Sequence, residues 1–153
     1  MSKIKLNLVA IIALLLVSNS CEKNEDIKEE KVTSADIIDI KAVVMAGDWK
    51  LSYYFDSVND QTSDFEAYTF NFNEGGTLGA TDGNSSLSGA WQIKTVSTDD
   101  ETDEVNFKIH FSSSELLEKL SEDWQVKKYT DTKIELEHTN SEDAEVILLT
   151  FEK

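Results

Sequence analysis

The chain has 153 residues, enough for one domain behind any export signal and too few for two, and with 40% hydrophobic residues it can build a packed core. It carries 30 acidic residues against 14 basic ones for a formal charge of −16, and every basic residue is a lysine. Such a surface repels nucleic-acid phosphates and anionic lipid, and without arginine it lacks the planar fork that grips phosphate in two places, so nucleic acid is excluded as an expected partner.

The chain opens on Met-Ser-Lys-Ile-Lys, which places two positive charges before an apolar run from Leu6 to Val17 broken only by Asn7. Ser18-Asn19-Ser20 then leads into Cys21. A charged start, a short apolar stretch and a small polar exit make a secretory signal over residues 1–20. The run is shorter than the roughly 20 residues that a spanning helix needs. Cys21 is the only cysteine, so no disulfide can form within the chain. Residues 21–33 form an acidic tether in which Glu22, Glu25, Asp26, Glu29 and Glu30 alternate with Lys23, Lys28 and Lys31, with little to bury.

Residues 34–153 read as one mostly β domain. Thr33-Ser34-Ala35-Asp36 offers a helix cap, and Ile37, Ile38, Ile40, Val43 and Val44 recur at helical spacing before Gly47, predicting a short helix at about 35–45. From Trp49 the period changes to two: Trp49, Leu51, Tyr53 and Phe55 alternate with Lys50, Ser52 and Tyr54. A polar loop follows over residues 56–64. Tyr68, Phe70 and Phe72 form the next strand, closed by Gly75-Gly76, and a short strand over 77–81 runs into the turn Asp82-Gly83-Asn84. The stretch Gly83 to Gly89 reads as a hairpin loop, and Trp91 and Ile93 then face away from Gln92 and Lys94. Val105, Phe107, Ile109 and Phe111 give the cleanest alternation in the chain. A helical piece follows, with Ser113 or Ser114 as its cap and Leu116, Leu117 and Leu120 on one face. Three strands, 124–129, 134–138 and 145–151, close the chain. About eight short strands in series predict an antiparallel meander, closed as a barrel or folded as a sandwich.

Four resemblances attach to these residues. Ser18-Asn19-Ser20-Cys21 resembles a bacterial lipobox, with Ser18 where the strict pattern has Leu; this implies cleavage before Cys21 and acylation (diacylglycerol, palmitate) of its thiol. The acidic cluster after the cysteine resembles the signal that sends some Bacteroidetes lipoproteins to the outer face of the outer membrane, and it reads equally as a plain solvated spacer. Gly47-Asp48-Trp49, the Tyr68-Thr69-Phe70-Asn71-Phe72 strand running into Gly75-Gly76, and Gly89-Ala90-Trp91 resemble the lipocalin-like domains of small Bacteroidetes lipoproteins. The likeness covers about residues 44–152 and implies a single antiparallel lipocalin-like β-barrel of about eight strands, with Trp49 closing one end. Lipocalins usually carry a disulfide and an arginine packed near that tryptophan, and this chain has neither. Asp56-Ser57-Val58 resembles the Asp-Ser/Thr-aliphatic site at which Bacteroidetes O-glycosylate exported proteins, which makes Ser57 a candidate.

No catalytic constellation is legible. Gly83 to Gly89 lacks Gly-x-Ser-x-Gly spacing, His110 falls on a polar face and His138 at a strand end. The acidic run 97–104 lacks the fixed-turn glycine of a calcium loop, so neither a metal nor a cofactor is expected. Trp49, Tyr53, Phe70, Phe72, Trp91, Phe107, Phe111 and Trp124 are the candidate barrel interior, able to line a ligand cavity or fill the core. The expectation is therefore a non-enzymatic, membrane-anchored envelope lipoprotein that binds a small apolar or amphipathic ligand. The alternative is an interaction or structural module of an outer-membrane assembly, with a filled core.

Overall fold

A computed structural model describes residues 31–97 and 103–153. The signal-like segment, Cys21 and most of the acidic tether lie outside the described residues, as does the centre of the acidic run 97–104. The first described residues already pack: Val32 is buried within the core cluster.

The backbone begins with a 3-10 turn at Ser34–Asp36, where Asp36 accepts hydrogen bonds from the Thr33 N–H at 2.8 Å and the Thr33 hydroxyl at 3.0 Å. Helix α1 (Ile37–Met45) follows, burying Ile40 and Val44. Eight strands come next: β1 (Asp48–Phe55), β2 (Thr69–Phe72), β3 (Thr77–Thr81), β4 (Ser86–Ser97), β5 (Asp103–His110), β6 (Asp123–Thr130), β7 (Lys133–Thr139) and β8 (Val146–Glu152). Helix α2 (Glu115–Glu118) sits between β5 and β6, and Ser114 caps it by accepting from the Leu117 N–H. Each strand pairs antiparallel with the next and β8 returns to β1, closing the barrel in chain order. Closure leaves neither end strand of the meander without a partner.

The period-two reading holds for most strands and breaks at two register shifts. On β1, Trp49, Leu51 and Tyr54 are buried, whereas Tyr53 is 37% exposed. The pairing of β1 with β8 shifts register between Leu51 and Tyr53, so the strand gains one residue and every side chain beyond it swaps faces. Tyr53, expected in the interior, lies on the outside, and Tyr54 takes its place. A second shift on β6, between Val126 and Lys128, turns Tyr129 toward the same face as Val126. Strand β4 also begins earlier than the glycine-bounded loop reading implied. The turn is confined to Asp82–Ser85, where the Asp82 carboxylate accepts from the Asn84 and Ser85 N–H groups. Gly89 then lies within the strand, paired with Leu78.

Candidate functional site

Seven of the eight aromatics expected inside are buried: Trp49, Phe70, Phe107 and Trp124 fully, Phe72 and Phe111 at 1% exposure, and Trp91 at 8%. The structure brings four of them into one cluster. Phe72 has ring centroids at 5.7 Å from Trp91, 5.3 Å from Phe107 and 5.6 Å from Phe151, and Phe151 reaches Phe70 at 5.2 Å. These spacings are ring-to-ring contact, edge-to-face in three pairs and tilted at 54° between Phe72 and Phe107, so rings occupy the middle of the barrel. Phe151 belongs to this cluster too, outside the candidate interior set, as the end of the apolar run of the last strand.

Both ends are closed by side chains. At one end α1 crosses the mouth, and the Trp49 indole N–H donates to the Val44 carbonyl at 2.8 Å. The Lys153 ammonium lies 4.4 Å from the Trp49 ring centre and donates to the carbonyls of Val43 at 3.1 Å and Asp131 at 2.7 Å. It thereby covers one face of the Trp49 ring with a cation. At the other end Phe65 packs edge-on against Tyr54 at 5.3 Å, and the buried Leu117 and Leu120 come in from α2 and its C-terminal side. The Tyr54 hydroxyl donates to the Lys119 carbonyl at 3.1 Å, tying the two plugs together. Burial pushes the Tyr54 phenol up to about 12, with the Asp56 and Glu122 carboxylates adding to the effect. Trp124 donates to the Leu120 carbonyl at 3.0 Å and lies 6.1 Å from the His138 ring.

The groups with potential for acid–base chemistry are scattered. His110 is exposed on the outer face of β5. His138 contacts the Asp123 carbonyl through Nδ1 at 3.1 Å and lies 3.6 Å from a Glu122 carboxylate oxygen through Nε2. Neither contact involves a nucleophile. Among the described residues no three His, Cys, Asp or Glu side chains gather as a metal site. Ser57 lies in the half-buried loop after β1 with φ of +75°, and its hydroxyl donates to Glu145 at 2.9 Å.

Among the described residues, two grooves stand out on the outer surface. The larger, about 1330 Å³, lies over Tyr53, Leu148 and Thr150, between Lys127, Glu137 and Lys133. Its charges answer one another: Lys127 pairs with Glu137 at 3.3 Å, and Lys133 with Glu135 at 3.0 Å and Glu152 at 3.4 Å. The smaller, about 640 Å³, lies where α1, the Glu74–Gly76 turn and β4 meet, over Met45, Trp91 and Ile93, with Lys41 and Lys108 beside them.

Comparison with protein-family models, with curated proteins and with solved structures finds no match for this chain.

Proposed function

We propose that this chain is a lipocalin-like, lipid-anchored envelope protein whose barrel works as a non-enzymatic interaction module, engaging another envelope protein through its outer surface. The observation that carries the reading is the contact of Phe72 with Trp91, Phe107 and Phe151, which gives the middle of the barrel to side chains. A container for a small apolar ligand needs room there, on the order of 300 Å³ or more. The closures by Trp49 and Lys153 at one end, and by Phe65 and Leu117 at the other, support the same reading. The anchor rests on the sequence: a signal-like segment that ends at a lone thiol, and an acidic stretch that would hold the domain away from the membrane.

The test has two arms. Cross-linking in intact envelopes, followed by purification of the full chain, is expected to recover one partner in fixed stoichiometry. Tryptophan fluorescence is expected to stay unchanged across a panel of fatty acids and other apolar probes. A saturable fluorescence response that Phe72→Trp abolishes would overturn the reading and restore the interior as a ligand site.

A further inference from the structure

Strand β4 has 12 residues and β3 only 5. Their pairing ends at Thr77 and Ala90, while β4 continues beside β5 as far as Ser97 and Asp103. One more bond extends the first ladder, from the Trp91 N–H to the Gly76 carbonyl at 2.9 Å. Backbone groups along a strand point alternately to its two sides, so Ile93 and Thr95 turn their N–H and C=O the same way as Trp91. Among the described residues no strand lies on that side, and no backbone hydrogen bond reaches those groups. Among the described residues the barrel is closed at its middle and β4 has no strand partner where β3 stops short, the groove there being bounded by α1.

The smaller groove opens along this edge. Its apolar part is Met45, 39% exposed, with Trp91 and Ile93 beneath. Lys41 makes no ion pair among the described residues, and Lys108 shares Asp123 with Lys94, each at 3.8 Å. Glu74 is the one acidic side chain in the lining. A molecule with 30 acids thus places lysines and an apolar floor beside unpaired backbone. Exposed edges are ordinarily covered or charged against strand addition, and an added strand gains affinity from main-chain hydrogen bonds and specificity from alternate side chains. A second copy is a poor occupant, because it would bring the lysines of one groove toward those of the other and set one strongly acidic chain against another.

We infer that the β4 edge at Ile93 and Thr95 accepts an extended acidic peptide segment of another protein as an added strand. An apolar side chain of that segment seats on Met45, and its carboxylates face Lys41 and Lys108. The inference rests on the interaction reading and names the surface and the chemistry of the partner.

The probe is a capped heptapeptide of alternating Glu and Val, titrated into the 15N-labelled full chain. Amide shifts are expected at Ile93 and Thr95. Methylating the peptide nitrogens on its edge-facing side is expected to weaken binding at least tenfold, and Lys41→Glu at least threefold. Thr95→Pro removes an edge donor that β5 does not use, and it is expected to weaken binding at least tenfold. Because proline can disturb the strand, the methylated peptide puts the same question to the unaltered protein. Equal binding of the methylated peptide, indifference to Lys41→Glu, or a dimer that Thr95→Pro dissolves would each overturn the inference. A partner recovered from envelopes that Thr95→Pro still holds would overturn this surface and leave the interaction reading standing. A saturable apolar-ligand response would overturn that reading without touching the edge result.

Discussion

The Lys153 ammonium lies 4.4 Å from the centre of the Trp49 ring, at the end of the barrel that α1 covers. Two contacts make this a latch as well as a stack. Trp49 satisfies the Val44 carbonyl, an orphan acceptor in the last turn of α1, and Lys153 adds a second donor to the neighbouring Val43 carbonyl, which also accepts from the Ala46 N–H. The positive charge also sits favourably at the negative end of the helix. Lys153→Ala is expected to cost about 1 kcal/mol, read as a lower urea midpoint with an unchanged slope. Lys153→Arg keeps the stack and the donors and is expected to retain most of that stability. An alanine variant as stable as the parent would show that the latch contributes nothing.

Gly89 is held to its identity by contact rather than by backbone conformation. A Cβ placed there would lie 2.5 Å from the His110 carbonyl oxygen and 2.7 Å from Cδ1 of Phe111. Gly79, one strand away, has nothing nearer than 3.8 Å. Gly89→Ala is therefore expected to destabilise by about 1–3 kcal/mol, because the backbone on one side cannot yield, and Gly79→Ala to be nearly neutral. Thermal melts of the two variants side by side decide the matter; equal melting temperatures would refute the crowding argument.

Phe72 touches three other rings, so truncating it tests whether the barrel is filled. Phe72→Ala is expected to cost about 3–5 kcal/mol in urea unfolding. The variant should also gain a saturable response to a small apolar probe that the parent lacks, since its space becomes vacant. A loss below about 1 kcal/mol would mean that the site was already open.

Much of this architecture is legible in the sequence, and the exceptions have local causes. Alternation in 105–111 and 133–138 fixes which side chains face inward, because in those strands each residue still has a single partner across the ladder. Tyr53 and Tyr54 exchange places because a bulge depends on how β8 fits against β1, which no pattern within 49–55 reveals. The early start of β4 was hidden by Gly89, whose glycine marks close packing against Phe111 rather than a turn. Lys153 is unremarkable as a terminal lysine until the fold brings it 104 positions back along the chain to Trp49. The edge of β4 without a strand partner is also a tertiary fact, since it exists only because β3 is shorter than its neighbour.

The proposed anchor can be tested without reference to the barrel. A diacylated cysteine buries many methylenes at about 0.8 kcal/mol each, enough for stable membrane association. Cys21→Ser is expected to leave residues 1–20 attached and to abolish labelling by an alkyne-tagged palmitate, both visible by mass spectrometry. Labelling that survives the substitution would overturn the assignment of Cys21.

Tyr54 ties the stability of the fold to alkaline pH. Its phenol is pushed up to about 12 by burial, against an ordinary value near 10, because the charged form would lose its hydration among Phe65 and the α2 plug. A raised folded-state value means that the neutral form is favoured in the native protein. The linked stability is fully present below the unfolded value of about 10 and drains away as pH rises toward 12. Urea midpoints measured from pH 8 to 12 are expected to fall most steeply above pH 10. Tyr54→Phe cannot ionise and keeps the ring packing, so its curve should lie below the parent's at pH 8, for want of the bond to the Lys119 carbonyl, and flatten relative to it above pH 10. Parallel curves for the two proteins across that window would refute the assignment, and the absorbance of phenolate near 295 nm shows directly whether one tyrosine ionises late.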